Sequence, residues 1–143
     1  MSVIENKRLI EKYPFLKIDG ESKYNMLDDM PEGWRKAFGE KFCDELYELV
    51  KKADLIDKFR IVQIKEKFGA LRVYSNTYTD DILDLFNRYE LLSETICIEC
   101  GKPATKITLG WISPYCDDCI PKTIEGKEVD NKSIEEFNKM LGN

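Results

Sequence analysis

Four of the five cysteines in this chain stand in two pairs, Cys97-Ile-Glu-Cys100 and Cys116-Asp-Asp-Cys119, with fifteen residues between the pairs. This is the spacing of a four-thiolate zinc ribbon. Each Cys-x-x-Cys turn aims two sulfurs at one ion, and two such turns complete a tetrahedron, so the segment is expected to close around Zn2+. Gly101, just after the second cysteine, suits the tight turn. Four protein ligands leave no open position for water or substrate, which predicts a structural ion and not a catalytic one. The metal therefore constrains how residues 96–121 fold and leaves their role open.

A chain of 143 residues is expected to form one domain into which the zinc module is built. The predicted division is an α+β domain over residues 1–95, an integrated zinc ribbon over 96–121 and a C-terminal helical segment over 122–143. The N-terminus lacks an apolar stretch of signal-peptide length, and no run of ~18 apolar residues occurs, so the expected location is the cytoplasm and no membrane contact is predicted. Paired thiols in a reducing compartment fit metal better than disulfides, and the odd Cys43 points the same way. The net charge is -5, and within the ribbon Glu99, Asp117 and Asp118 balance Lys102, Lys106 and Lys122. That balance argues against bulk nucleic acid as the partner. The chain has no histidine, which removes the commonest general base and the usual serine or cysteine triads, so the expectation leans towards binding and away from catalysis.

Periodicity outlines the remaining elements. Residues 3–13 predict a short helix stopped at Tyr13-Pro14, followed by an irregular polar stretch from Lys17 to Met30. A long helix is expected from Pro31 to about Ala53, with Trp34, Phe38, Phe42, Leu46, Leu49 and Val50 on one stripe and Cys43 beside it. That stripe fits either a core or a homo-oligomer interface. Thr79 should cap a further helix with Asp80 and Asp81 in its first turn and Ile82, Leu85, Phe86, Tyr89 and Leu92 inward. Short strands are expected at Thr105–Thr108 and Trp111–Ser113. A polar turn around Gly126 and the capping box Ser133-Ile-Glu-Glu136 should lead into a last helix with Ile134, Phe137 and Leu141 inward.

Between the long helices, Phe59 to Ser75 predicts a β-hairpin. One face carries Val62, Ile64, Glu66, Phe68, Leu71 and Val73. The other carries Gln63, Lys65, Lys67, Arg72 and Tyr74. A turn at Gly69-Ala70 would be type II′ and would oppose Lys67 to Arg72, whereas a turn at Phe68-Gly69 would oppose Lys65 to Arg72. Either register sets a lysine against an arginine, a pairing that costs up to about 1 kcal/mol and calls for a compensating anion. Acids of the chain itself could supply it, or a ligand phosphate could. Gln63, Lys65, Lys67, Arg72 and Tyr74 are therefore the candidate ligand-binding residues, and Glu66 among apolar neighbours is expected at the strand end.

The order Gly33-Trp34, then Gln63-Ile-Lys65-Glu66-Lys67-Phe68-Gly69-Ala-Leu71-Arg72-Val-Tyr74, then Cys97-x-x-Cys100-Gly101-Lys-Pro103, Trp111 and Cys116-x-x-Cys119 resembles small proteins encoded by bacteriophages and prophages. The resemblance implies an accessory protein acting in an infected or lysogenic bacterium. Such proteins block host proteins, regulate transcription or sequester the nucleotide signals of host defence. A phosphorylated small molecule on the basic hairpin face follows as the first expectation. The alternative is a ribbon that contacts a host protein or the transcription apparatus through Lys102, Lys106, Trp111 and Tyr115. An enzyme working through Glu66 is a third, but it would lack an evident base, nucleophile or catalytic metal.

Overall fold

A computed structural model describes residues 3–121 and 131–133 of the chain. Helix α1 spans Val3–Lys12 and stops where expected, with Tyr13 in a non-helical conformation before Pro14. The polar stretch that follows contains a single-turn helix, Met26–Asp29, closed by a reciprocal capping box between Asn25 and Asp28. The long helix is continuous but not uniform. Glu32–Trp34 leads into a π-helical stretch, Arg35–Gly39, and then Glu40–Lys52, and together these form α2.

Trp34, Phe38, Phe42, Cys43, Leu46 and Val50 all lie inside the single chain, with Trp34 fully enclosed. These six residues of the stripe are therefore core, with Leu49 partly buried against them. Burial pushes the Cys43 thiol far above its ordinary value, and with neighbouring Asp44 and Glu40 adding to the shift, it stays a neutral core side chain. Two tyrosines bolt the helices to α2 from either side. Tyr13 donates its phenol proton to Asp44, and Tyr89 donates to Glu45.

The hairpin consists of β1, Ile61–Lys67, and β2, Ala70–Ser75. Its turn is Phe68-Gly69, both at positive φ (53° and 79°), so the register opposes Lys65 to Arg72 and Lys67 to Ala70. The type II′ alternative at Gly69-Ala70 is excluded. Alternation also fails at the start of β1, where the register shifts between Ile61 and Gln63. This irregularity turns Ile61 inward and leaves Val62 at the surface, reversing the expected placement of Val62. Phe68, expected on the apolar face, stands in the turn and is 68% exposed.

Two strands alone are marginal in water, and two elements cover this pair. The Met26–Asp29 turn lies against β1, and helix α3, Asp80–Ser93, lies against β2. Thr79 caps α3 as expected by accepting from the Ile82 N–H. Leu92 is a correction: it is 42% exposed, and the next residue, Ser93, is the buried one. The Ser93 hydroxyl accepts the outward N–H of Leu71 at 2.8 Å, satisfying the edge of β2. Ser93→Ala strands that buried donor and should cost about 1–3 kcal/mol in a urea titration; an unchanged midpoint would show that another acceptor replaces it.

The cysteine region forms a second small sheet. Strand β3, Lys106–Thr108, pairs antiparallel with β4, Pro114–Tyr115, on one side and with β5, Asn131–Ser133, on the other. The strand expected at Trp111–Ser113 thus begins later, because residues 109–113 make the connecting turn, with Gly110 at φ 85°. Strand β5 was not anticipated. The expected C-terminal helix with Ile134, Phe137 and Leu141, and the turn at Gly126, lie outside the described residues. Among the described residues the architecture is α+β: three helices, a two-stranded antiparallel sheet and a cysteine-bearing module docked on the N-terminal end of α2.

Candidate metal centre and hairpin face

The sulfurs of Cys97, Cys100, Cys116 and Cys119 converge, all within 4.8 Å of one another, with Cys100 and Cys116 3.5 Å apart. A metal–sulfur bond of about 2.3 Å in a tetrahedron places its ligands about 3.8 Å apart, so the four thiols fit a metal ion. Both knuckles are built by backbone turns. The Gly101 N–H bonds to the Cys97 carbonyl at 3.1 Å, and those of Cys119 and Ile120 each bond to the Cys116 carbonyl at 3.2 Å. Burial raises the Cys97 thiol, but backbone N–H groups at Cys116, Cys100 and Glu99 outweigh it and bring the thiol down to about 7. Donors are thus already aimed at a sulfur that must carry negative charge to bind metal.

The module is anchored to α2 by backbone contact. The Gly33 N–H donates to the Ile98 carbonyl at 2.9 Å, and the Trp34 indole N–H donates to the Ile96 carbonyl at 3.0 Å. A Cβ on Gly33 would sit 2.2 Å from the Cys97 carbonyl oxygen. Gly101 answers from the other side, at φ 85°, where a Cβ would lie 2.7 Å from the Gly33 oxygen. Gly33-Trp34, singled out in the sequence beside the cysteine motif, is the seat on which the first knuckle rests. The hairpin tip meets the module as well: a Cβ on Gly69 would lie 3.1 Å from the Ile112 side chain.

All five candidate ligand residues are on the hairpin. Gln63, Lys67 and Tyr74 are exposed, and Lys65 and Arg72 are half-buried. Their electrostatic situations differ. The Arg72 guanidinium meets Glu90 of α3 at 3.2 Å and also faces Glu94, whose carboxyl is raised by burial and by Glu90 against the pull of Arg72. An acid of the chain itself is thus the anion that compensates Arg72. Lys65 and Lys67 have no such partner: among the described residues neither makes an ion pair. Their ammonium groups lie over the rings of Tyr74, at 5.6 Å, and Phe68, at 5.7 Å. Glu66 is near the strand end as expected, half-buried, with an oxygen 3.3 Å from the Gly69 N–H.

Lys102 and Lys106 of the ribbon are engaged. Lys102 pairs with Asp118 at 3.8 Å and Lys106 with Asp117 at 4.0 Å, so this surface has no excess of positive charge. Trp111, by contrast, is 74% exposed. A concavity of about 590 Å³ lies elsewhere, between α1, the Met26–Asp29 turn and the start of α2. Its charged groups are satisfied among neighbours: Arg35 with Asp28 at 2.7 Å, Lys36 with Glu32 at 3.2 Å and Arg8 with Glu40 at 3.0 Å. A smaller cleft of about 250 Å³ opens at the hairpin tip against the loop at Trp111. Sequence reasoning missed it because it depends on the docking of two elements far apart in the chain.

Fold and site together define an α+β protein with a four-cysteine centre able to hold a metal ion. No protein-family model matches the chain, no curated protein matches it, and no solved structure matches it. No helix among the described residues is long and apolar enough to cross a membrane.

Proposed function

We propose that this chain is a phage or prophage accessory protein of the bacterial cytoplasm that binds without catalysing. Its ligand is a phosphorylated anionic small molecule, a nucleotide signal of host defence, held on the charged face of the hairpin. The four-cysteine ion is zinc, and it is structural. The observation that carries the ligand assignment is the pair Lys65 and Lys67, two residues apart on one face and in no ion pair among the described residues, in a chain of net charge -5. Cations left unpaired in an acid-rich chain suit an external anion, and Tyr74 and Gln63 beside them suit a ring or sugar. Arg72, held by Glu90, frames the site and leaves the phosphate contact to the lysines. Lys65→Ala and Lys67→Ala should each weaken nucleotide binding about tenfold to a hundredfold, and added salt should weaken it further, while the fold survives. Tight binding indifferent to both substitutions would refute the assignment.

A second function, a ribbon that contacts a host protein or the transcription apparatus, has the exposed Trp111 in its favour. Its proposed cations, Lys102 and Lys106, are already neutralised by Asp118 and Asp117. Failure of every nucleotide to bind, with one host protein recovered equally by wild type and Lys65→Ala, would favour it.

A further inference from the structure

The hairpin turn breaks a local rule. Phe68 occupies the first position of a two-residue turn at φ 53°, where asparagine, aspartate or glycine is favoured and a bulky side chain is strained. The ring gains little in return, being 68% exposed. Facing it across the tip is a second unusual side chain, Trp111, 74% exposed on the turn after Gly110. Between them lies the cleft of about 250 Å³, lined by Glu66, Lys67, Phe68, Gly110, Trp111 and Ile112. Two exposed aromatic rings, one unpaired lysine and one carboxylate with no ion pair among the described residues meet at one opening. Within the chain Lys67 lies over the Phe68 ring and Glu66 accepts from the Gly69 N–H, but neither charge is neutralised by an opposite one among the described residues.

We propose that this cleft is the ring subsite of the ligand, and that the ring it takes is guanine or one with the same pair of adjacent N–H donors. The inference rests on the assignment of Lys65 and Lys67 to phosphate. Phe68 and Trp111 supply π-faces on which a planar base stacks, as single-stranded nucleotides do on exposed aromatics. Glu66, acceptor-only when ionised, takes the neighbouring ring N–H and exocyclic amine of guanine through its two oxygens. Adenine presents one donor beside a ring nitrogen lone pair, which a carboxylate repels. The cleft is smaller than the ~300–1,000 Å³ of sites that enclose a whole ligand, so it holds the ring and leaves the phosphates outside. From there the phosphates run down the hairpin face to Lys67 and then Lys65, successive residues on one side of β1.

The test is calorimetric titration of the full, metal-loaded chain with guanosine monophosphate, adenosine monophosphate and pyrophosphate. The guanine nucleotide should bind about tenfold more tightly than the adenine one, and Glu66→Gln should erase that preference. Phe68→Ala and Trp111→Ala should each weaken guanosine monophosphate about tenfold or more while leaving pyrophosphate unchanged. Both positions are exposed, so the variants should keep the wild-type circular dichroism and melting temperature. If pyrophosphate binding is lost in Lys65→Ala but both aromatic variants hold guanosine monophosphate like wild type, the ring subsite is wrong and the phosphate assignment stands. If wild type binds neither nucleotide nor pyrophosphate, the phosphate assignment falls and the subsite with it.

Discussion

Stripping the metal with a chelator is expected to unfold residues 96–121 and to lower the melting temperature of the whole chain. A four-thiolate zinc site contributes on the order of 10 kcal/mol or more of folding energy, and β3 with its short partners β4 and β5 is too small to persist without it. The loss should spread, because the first knuckle is the acceptor for the Gly33 N–H and the Trp34 indole. Cys97→Ser should reproduce the effect at a buried position, leaving three thiols that cannot complete the tetrahedron. Dialysed wild type should carry one zinc per chain. Near-ultraviolet circular dichroism and tryptophan fluorescence report the change separately, since Trp34 sits in the core and Trp111 on the module. A chelated protein that melts like the loaded one would contradict a structural role for the ion.

Gly33→Ala should destabilise the protein by about 3 kcal/mol or more, although alanine is the better helix former by roughly 1 kcal/mol. The two effects oppose each other, and the contact decides the sign. The added methyl would stand 2.2 Å from the Cys97 carbonyl oxygen and 2.6 Å from the Ile98 carbonyl carbon, both backbone atoms of the first cysteine turn. Relief requires moving the knuckle away from α2, which breaks the Gly33–Ile98 and Trp34–Ile96 hydrogen bonds together. Urea denaturation would show the drop in midpoint. A stabilised Gly33→Ala variant would mean that the module is not seated on this helix as described.

What the sequence disclosed and what it withheld divide along a physical line. The four sulfurs were legible because a metal demands one spacing and few residue types, and the α2 stripe because burial repeats every three to four residues. The hairpin was legible as an element but not in its register, since both candidate turns contain Gly69 and differ only in whether Phe68 accepts a positive φ. Val62 was misplaced by a local irregularity that a strict two-residue alternation cannot contain. Leu92 was misplaced because the last turn of α3 is spent on the edge of β2, where a serine hydroxyl is needed and a leucine is not. Gly33 and Gly101 stood out as motif residues, yet only the docking of the first knuckle on α2 explains why neither can carry a side chain: Gly33 lies against the Cys97 and Ile98 backbone, and Gly101, at positive φ, against the Gly33 oxygen. Arg72 was grouped with the lysines by face, and its partner, Glu90, became visible only when α3 was placed beside the sheet.

The most direct test of the proposed role is a thermal-shift screen of the zinc-loaded protein against mononucleotides, cyclic dinucleotides and ADP-ribose-type molecules, with Lys65→Ala alongside. A ligand at 100 times its dissociation constant stabilises the fold by about 2.7 kcal/mol, which is a readily measured shift. At least one guanine-containing member of the panel should raise the wild-type melting temperature, and the shift should shrink in Lys65→Ala and at high salt. No shift from any member, or one that Lys65→Ala retains in full, would contradict a phosphorylated ligand on the hairpin face.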